Sequence, residues 1–328
     1  MKKLLPLLII PILLIIGCKT GTYKTWQNDS IDALIKQEIN KLDQEILISI
    51  DTDNPDRLKL VASSGFLEVS EKELPNITNQ FCDIFEYDNY TILDQYYTKN
   101  TTSGLGNTLI SGLDGDNNYI ISYTARNEEM FTSVLLANDG IDEFLILNIY
   151  GKYPDGWKLN ILQIGQYTAN GKTAPELYQK AKNQKEKGFI LDAALNMYLC
   201  TQILNPAGSY WQYKIEKEMQ DFYDDIVSLT SNTYQFPIII DDIPSKPEIL
   251  NIAPQSMYEG TFPMIHYLSK IPLEDTASLR IENDEIHALI GEYFKGIDSD
   301  KEYLIYKAWN KIPDGVNPET NYGFVKEL

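Results

Sequence analysis

Histidine is almost missing from this chain: His266 and His287 are the only two in 328 residues. Acid–base sites working near neutral pH most often recruit an imidazole, so a site in the first half of the chain has to rely on Asp, Glu or Tyr. Both histidines fall in apolar patterns, His287 beside the stripe of a helix and His266 in a strand, where a satisfied structural role is the simpler reading. Cysteine is as scarce, with Cys18, Cys82 and Cys200 alone. Two histidines and two thiols without short-range spacing leave a zinc site without its usual parts. Cys82 and Cys200 could pair in an oxidising compartment, but their apolar neighbours Phe81 and Leu199 favour buried free thiols. Positive charge is short too, with 28 Lys and Arg against 47 Asp and Glu and a net charge of -19. Such a field repels phosphate backbones and argues against nucleic acid as a partner.

Other chemistries lack their parts. Gly104-Leu105-Gly106 has no phosphate-binding Lys after it and reads as flexible loop, and no Gly-x-Ser-x-Gly elbow occurs. Asp114, Asp116 and Asn118 alternate as calcium-loop ligands do. Tyr119 stands where the loop needs Gly, and no Glu follows at the closing position, so a polar hairpin turn is the better reading. Tyrosines cluster at Tyr87, Tyr90, Tyr96 and Tyr97, where strand packing is the default and a stacking groove the alternative.

What is present is an ordinary folding composition, 43% hydrophobic and 23% charged with a mean hydropathy of -0.27, preceded by a targeting signature. Met1-Lys2-Lys3 leads into the apolar run Leu4 to Ile16 and then Gly17-Cys18. That run is shorter than the roughly 18 residues of a comfortable membrane span and carries Pro6 and Pro11, so it reads as a secretory signal. Ile15-Ile16-Gly17-Cys18 resembles the lipobox of bacterial lipoproteins, with Ile16 departing from the commoner Ala, Ser or Thr. The resemblance implies a diacylglyceryl group on the Cys18 thiol, cleavage of the signal peptide after Gly17, and acylation of the new amino group by a palmitate-type chain. Two or more acyl chains give stable anchoring where one is marginal. Lys19 in place of Asp implies the outer membrane of the cell envelope, and residues 19–28 read as a flexible spacer.

Helical spacing recurs from Ile31 to Ile46 with Asp29 or Ser30 as N-cap, Asn54-Pro55 opens a short second helix, and Leu74 to Phe85 supplies a third. The period then changes to two, over 90–98, 119–125, 130–137, 143–150 and 157–167. Asp114-Gly115, Asp139-Gly140 and Pro154-Asp155-Gly156 separate these segments, which predicts an antiparallel meander. Trp157, Leu159 and Ile161 share one face and Leu162 and Ile164 the other, the signature of a bulge. Helices feeding such a sheet make residues 30–171 similar to the nuclear transport factor two-like superfamily. The resemblance implies a cone around a pocket, a scaffold serving enzymes and binding modules alike. Ala194, Tyr198, Thr201 and Pro206 resemble the second helix of a tetratricopeptide repeat, with a helical linker as the alternative. Ile215 to Ile226 predicts one more helix. Residues 231–249 read as a boundary or crossing strand, followed by strands near 236–240, 258–268, 303–309 and 322–326 and a helix capped by Asp275 or Thr276 and closed by Gly296.

The chain therefore divides into a signal peptide (1–17), a lipidated linker (18–29), an α+β cone-like domain (30–172), a helical hairpin segment (173–230) and a small α+β domain (231–328). Two classes of function fit. The preferred one is a non-enzymatic binding or assembly module, tethered through Cys18 and holding a protein or small-ligand partner, with no cofactor or metal. The other is a surface hydrolase or lyase using carboxylates, with Asp83 or Asp94 near the cone mouth as the candidates.

Overall fold

The segments at 130–137 and 144–150 are apolar at nearly every position, and a strand apolar on both sides has to be covered on both sides. The computed structural model, which describes residues 21–86, 88–313 and 319–328, builds the fold on that condition. The amino-terminal unit contains β1 (Thr22–Gln27), α1 (Ala33–Asp51), α2 (Pro55–Val61), α3 (Ser64–Ser70), α4 (Leu74–Phe81), β2 (Tyr90–Asn100), β3 (Gly106–Ile110) and β4 (Tyr119–Thr124). It continues with β5 (Glu129–Asp139), β6 (Asp142–Tyr153), β7 (Gly156–Gln166) and the small hairpin β8 (Thr168–Ala169) and β9 (Lys172–Thr173). A helical stretch follows, with α5 (Ala174–Lys187), α6 (Ile190–Gln202), β10 (Trp211–Tyr213) and α7 (Glu216–Thr233). The carboxy-terminal unit holds β11 (Ile238–Ile239), β12 (Glu248–Met257), β13 (Gly260–Leu268), α8 (Thr276–Tyr293), β14 (Tyr303–Trp309) and β15 (Asn321–Glu327).

The fold class is α+β. A central antiparallel sheet in the order β1-β2-β5-β6-β7 is covered by α1 to α4 on one face. Its other face is covered by α5 to α7 and by a second sheet in the order β10-β4-β3. Alternation along β5 and β6 is complete. Phe131, Leu135, Ile146 and Tyr150 enter the core under α1, while Met130, Val134, Leu145 and Leu147 enter the opposite one. The β3–β4 hairpin thus leaves the meander and folds over the far face, which corrects the uninterrupted meander read from the pattern. A bulge is present, since Ile149 pairs with Ile161 and Tyr150 with Leu159, leaving Asn160 as the extra residue, but the faces read from the pattern need correction: Trp157 and Leu159 share their core with Leu162 and Ile164, and Ile161 alone turns to the opposite one.

The carboxy-terminal unit is a sheet in the order β11-β12-β13-β14-β15. Its strands β13 and β14 are parallel, so the chain crosses over through α8, capped where the Asp275 side chain accepts from the Ser278 amide. α6 joins the units: Ala193, Met197 and Cys200 pack toward the central sheet while Leu191 and Leu195 pack into the carboxy-terminal core.

Other expectations need correction. Residues 22–27 are not spacer but the edge strand β1, whose alternate hydrogen bonds to β2 hold an exposed polar sequence extended. The first helix is capped by Asp32, whose carboxylate accepts from Leu34 and Ile35, and Asn28–Ser30 is a single 3-10 turn before it. β3 starts at Gly106, inside the segment read as flexible loop, and the boundary segment ending at 249 runs on into a full strand, Glu248–Met257. Tyr198 is exposed rather than filling a helix groove. Cys18 and the lipobox lie outside the described residues, and among those described no helix is long and apolar enough to cross a membrane.

Candidate functional site

Neither Asp83 nor Asp94 is set up as a reacting carboxylate in a cleft. Asp83 is exposed after α4, in a shallow polar groove with Asp51 and Glu86. Asp94 is buried in β2, where Oδ1 accepts from Asn28 Nδ2 (2.7 Å) and Gln27 Nε2 (3.1 Å) and Oδ2 accepts from the Tyr119 hydroxyl. Its oxygens are committed to tying β1 and β4 to β2. Tyr96 and Tyr97 are core residues on opposite faces of the sheet, and Tyr87 lies outside the described residues. His266 stacks on Trp309 and accepts from its Nε1 at 3.3 Å, and His287 Nδ1 lies 2.9 Å from the Tyr306 hydroxyl. The thiols are free. Cys200 is buried, which pushes its pKa up to about 12, whereas Cys82 is only half-buried, against expectation.

The amino-terminal unit does bury a carboxylate between α1 and the central sheet, one the sequence reading missed. Asp43 shares the face of α1 that carries Ile39, Ile46 and Ile50, and it is fully buried against the central sheet. Ser133 Oγ (2.7 Å), Asn148 Nδ2 (2.8 Å) and the Tyr150 hydroxyl (2.5 Å) donate to it. Burial outweighs these bonds and pushes its pKa up to about 6. With three donors already in place, Asp43 is a structural anchor between α1 and the sheet. The signal that could have found it is a lone acid on an apolar helical stripe.

The open space lies elsewhere, in a crevice where α5 and α6 face the carboxy-terminal sheet. Local sequence sets both helices. α5 opens with a capping box, Thr173 with Glu176, and ends at Gly188, whose φ of 80° suits glycine. The second helix turns back along it. The crevice has an outer part of about 680 Å³, bordered by the 115–118 loop and α5, and an inner part of about 360 Å³, bordered by α6, Phe262 and Pro263. Lys180, Gln184 and Asp300 line both parts, so the two adjoin at these side chains.

Two pairs at helical i, i+4 spacing form its wall, Lys180 with Gln184 on α5 and Asp192 with Asn196 on α6. Gln184 is 4% and Asn196 8% exposed. They are bonded to each other, Asn196 Nδ2 donating to Gln184 Oε1 at 2.8 Å. Among the described residues, Gln184 Nε2 and Asn196 Oδ1 have no partner within the protein. Asp192 receives Lys301 Nζ at 3.0 Å on Oδ1, while its Oδ2 is buried without a partner, and burial pushes the carboxyl up to about 6. Half-buried Lys180 has no carboxylate within 4 Å among the described residues. Burial, reinforced by Lys172 and Lys301, holds its ammonium below the usual lysine range. Across the crevice the β8–β9 turn clasps β13, with Asn170 donating to the Thr261 carbonyl (2.9 Å) and accepting from its amide (2.6 Å).

A cation, an amide donor and an amide acceptor that point into a cleft between separately cored units form a recognition set. Among the described residues no group of His, Cys, Asp and Glu is arranged to hold a metal ion. Comparison with known protein families, curated proteins and solved structures returns no match.

Proposed function

We propose that this chain is a lipid-anchored, non-enzymatic binding protein of the cell envelope whose ligand occupies the crevice between α5–α6 and the carboxy-terminal sheet. The observation that carries the reading is the pair Gln184 and Asn196, each more than nine-tenths buried and each holding a polar end unbonded at a cavity. These two ends are open to the cavity rather than sealed in the core, so a ligand can take the place of the water that meets them. The tether rests on the lipobox resemblance at Cys18, and outer-membrane placement on Lys19. The α1–α4 layer on one face of the antiparallel sheet supports the resemblance to the nuclear transport factor two-like superfamily, although α5 to α7 and a second sheet cover the other face, and the α5–α6 hairpin matches the tetratricopeptide-like one in its helices but not at exposed Tyr198. This site lies apart from the interface of α1 with the central sheet, which Asp43 and its donors fill.

The test has an anchor arm and a binding arm. Cells fed an alkyne-tagged palmitate should label the wild type and leave it in the membrane fraction, and Cys18→Ala should lose both label and attachment. The purified full chain in detergent, dialysed and then given a small-molecule extract of the envelope, should unfold at higher temperature by mass action. Asn196→Leu should not respond. Equal response of the two proteins, or label retained by Cys18→Ala, contradicts the reading.

A further inference from the structure

The crevice also carries information about the chemistry of its ligand, and this inference rests on the crevice being the binding site. We infer that the ligand is an anionic, hydroxyl-rich small molecule of the sugar-acid class. Its charge is read from Lys180, whose ammonium has no carboxylate within 4 Å among the described residues and lines both parts of the cavity. Asp192 and Asp300 act on it only from beyond contact distance, so an anion that reaches the ammonium directly gains a contact neither of them makes.

The remaining functional groups ask for neutral partners. Gln184 Nε2 offers a donor and Asn196 Oδ1 an acceptor, side by side because the two amides are already bonded at 2.8 Å. Hydroxyl groups satisfy both at once, since each can accept and donate. Asp192, one turn before Asn196, is the group that would otherwise call for an ammonium, but Lys301 at 3.0 Å already neutralises it. A second cation brought to that carboxylate would be opposed by the first. The carboxylates Glu259, Asp300 and Glu302 on the opposite side are exposed, stay hydrated and are screened, so they weigh little against the buried set. Phe262 and Pro263 supply an apolar surface for the ring of a sugar.

The test is isothermal titration calorimetry on the full chain in detergent with four probes: D-glucuronate, D-glucose, acetate and L-alanine. Glucuronate should bind at least tenfold more tightly than each of the others. Lys180→Met should reduce its affinity to that of glucose, and Lys180→Arg, which keeps the charge, should restore the preference. Hydrogen exchange on the same samples should slow in the segments spanning α5 and α6 when glucuronate is present. Tightest binding of alanine, acetate matching glucuronate, or a preference that survives Lys180→Met overturns the inference. If no probe binds while envelope extract still stabilises the wild type and not Asn196→Leu, the ligand class is wrong and the crevice stands. If neither probe nor extract acts, both readings fall.

Discussion

Asp192 of α6 and Lys301 of the loop before β14 meet at 3.0 Å across the boundary between the helical stretch and the carboxy-terminal unit, with 3% and 11% of their side chains exposed. Lys301 also donates to the carbonyls of Gly296 and Ser299, so one ammonium closes its own loop and compensates a buried acid. Removing one partner leaves an uncompensated charge. Lys301→Met is expected to cost about 3–5 kcal/mol at pH 7, and Asp192→Asn combined with Lys301→Met less than that. Chemical denaturation of the four proteins of this cycle measures the coupling. A double variant as unstable as Lys301→Met would show that the pair contributes through packing and not charge.

Asp43 should write a pH dependence into the stability of the fold. Its carboxyl is raised from 3.8 to about 6 by burial, so the folded state keeps the proton to higher pH than the unfolded one. Between those values the folded chain binds more protons, and stability therefore falls as pH rises through that window and levels off above it. The contribution is on the order of 3 kcal/mol at 1.36 kcal/mol per unit. Asp192, also raised to about 6, adds a slope of the same sign. Asp43→Asn should remove the Asp43 share, flattening the denaturation midpoint between pH 4 and 6 relative to wild type. An unchanged slope would mean that Asp43 titrates normally.

A group of buried polar atoms in the carboxy-terminal core points to an easy gain. Both carboxylate oxygens of Glu282 on α8 are buried without a partner, as are the Asn283 amide and the Tyr267 hydroxyl. Glu282→Met, which keeps volume and removes the unpaired oxygens, is expected to stabilise the protein by about 1–3 kcal/mol in urea unfolding. Loss of stability would show that Glu282 has a partner in solution that it depends on.

Packing of the helical stretch on the central sheet depends on glycine at one point. A Cβ built on Gly165 of β7 would overlap the Pro206 carbonyl, and backbone cannot swing aside. Gly165→Ala should cost about 1–3 kcal/mol. Gly106→Ala, where nothing lies within 4 Å, is the control and should stay within about 0.5 kcal/mol of wild type. Equal thermal midpoints for the two variants would place the 206 loop farther from the sheet.

Elements with strong periodicity or caps were legible in the residues: Asn54 before α2, Asp275 before α8, β14 at its bounds, and the bulge whose extra residue is Asn160. What escaped depends on tertiary pairing. β1 is a mostly exposed segment whose Trp26 stacks on Tyr97, and it becomes a strand where Thr98 and its neighbours on β2 offer a free edge. Thr22, Tyr23, Thr25 and Trp26 are strand-favouring residues, but a segment of 6 residues without alternating burial does not by itself separate a strand from a spacer. The excursion of β3 and β4 is similarly invisible, because alternation reports that one face is buried and not which sheet buries it. The site was harder still. Lys180, Gln184, Asp192 and Asn196 read singly as solvated helix residues, and their meaning comes from α6 packing α5 on one side and the carboxy-terminal core on the other.

Occupancy of the crevice is the claim on which the rest turns. Native mass spectrometry of the full chain, extracted from its own envelope in mild detergent and never dialysed, addresses it directly. The expected spectrum shows a non-covalent low-mass adduct on the wild type that is lost from Asn196→Leu and weakened in Lys180→Met. An adduct retained by both variants, or a wild type that flies bare under conditions that keep known complexes intact, would contradict the account.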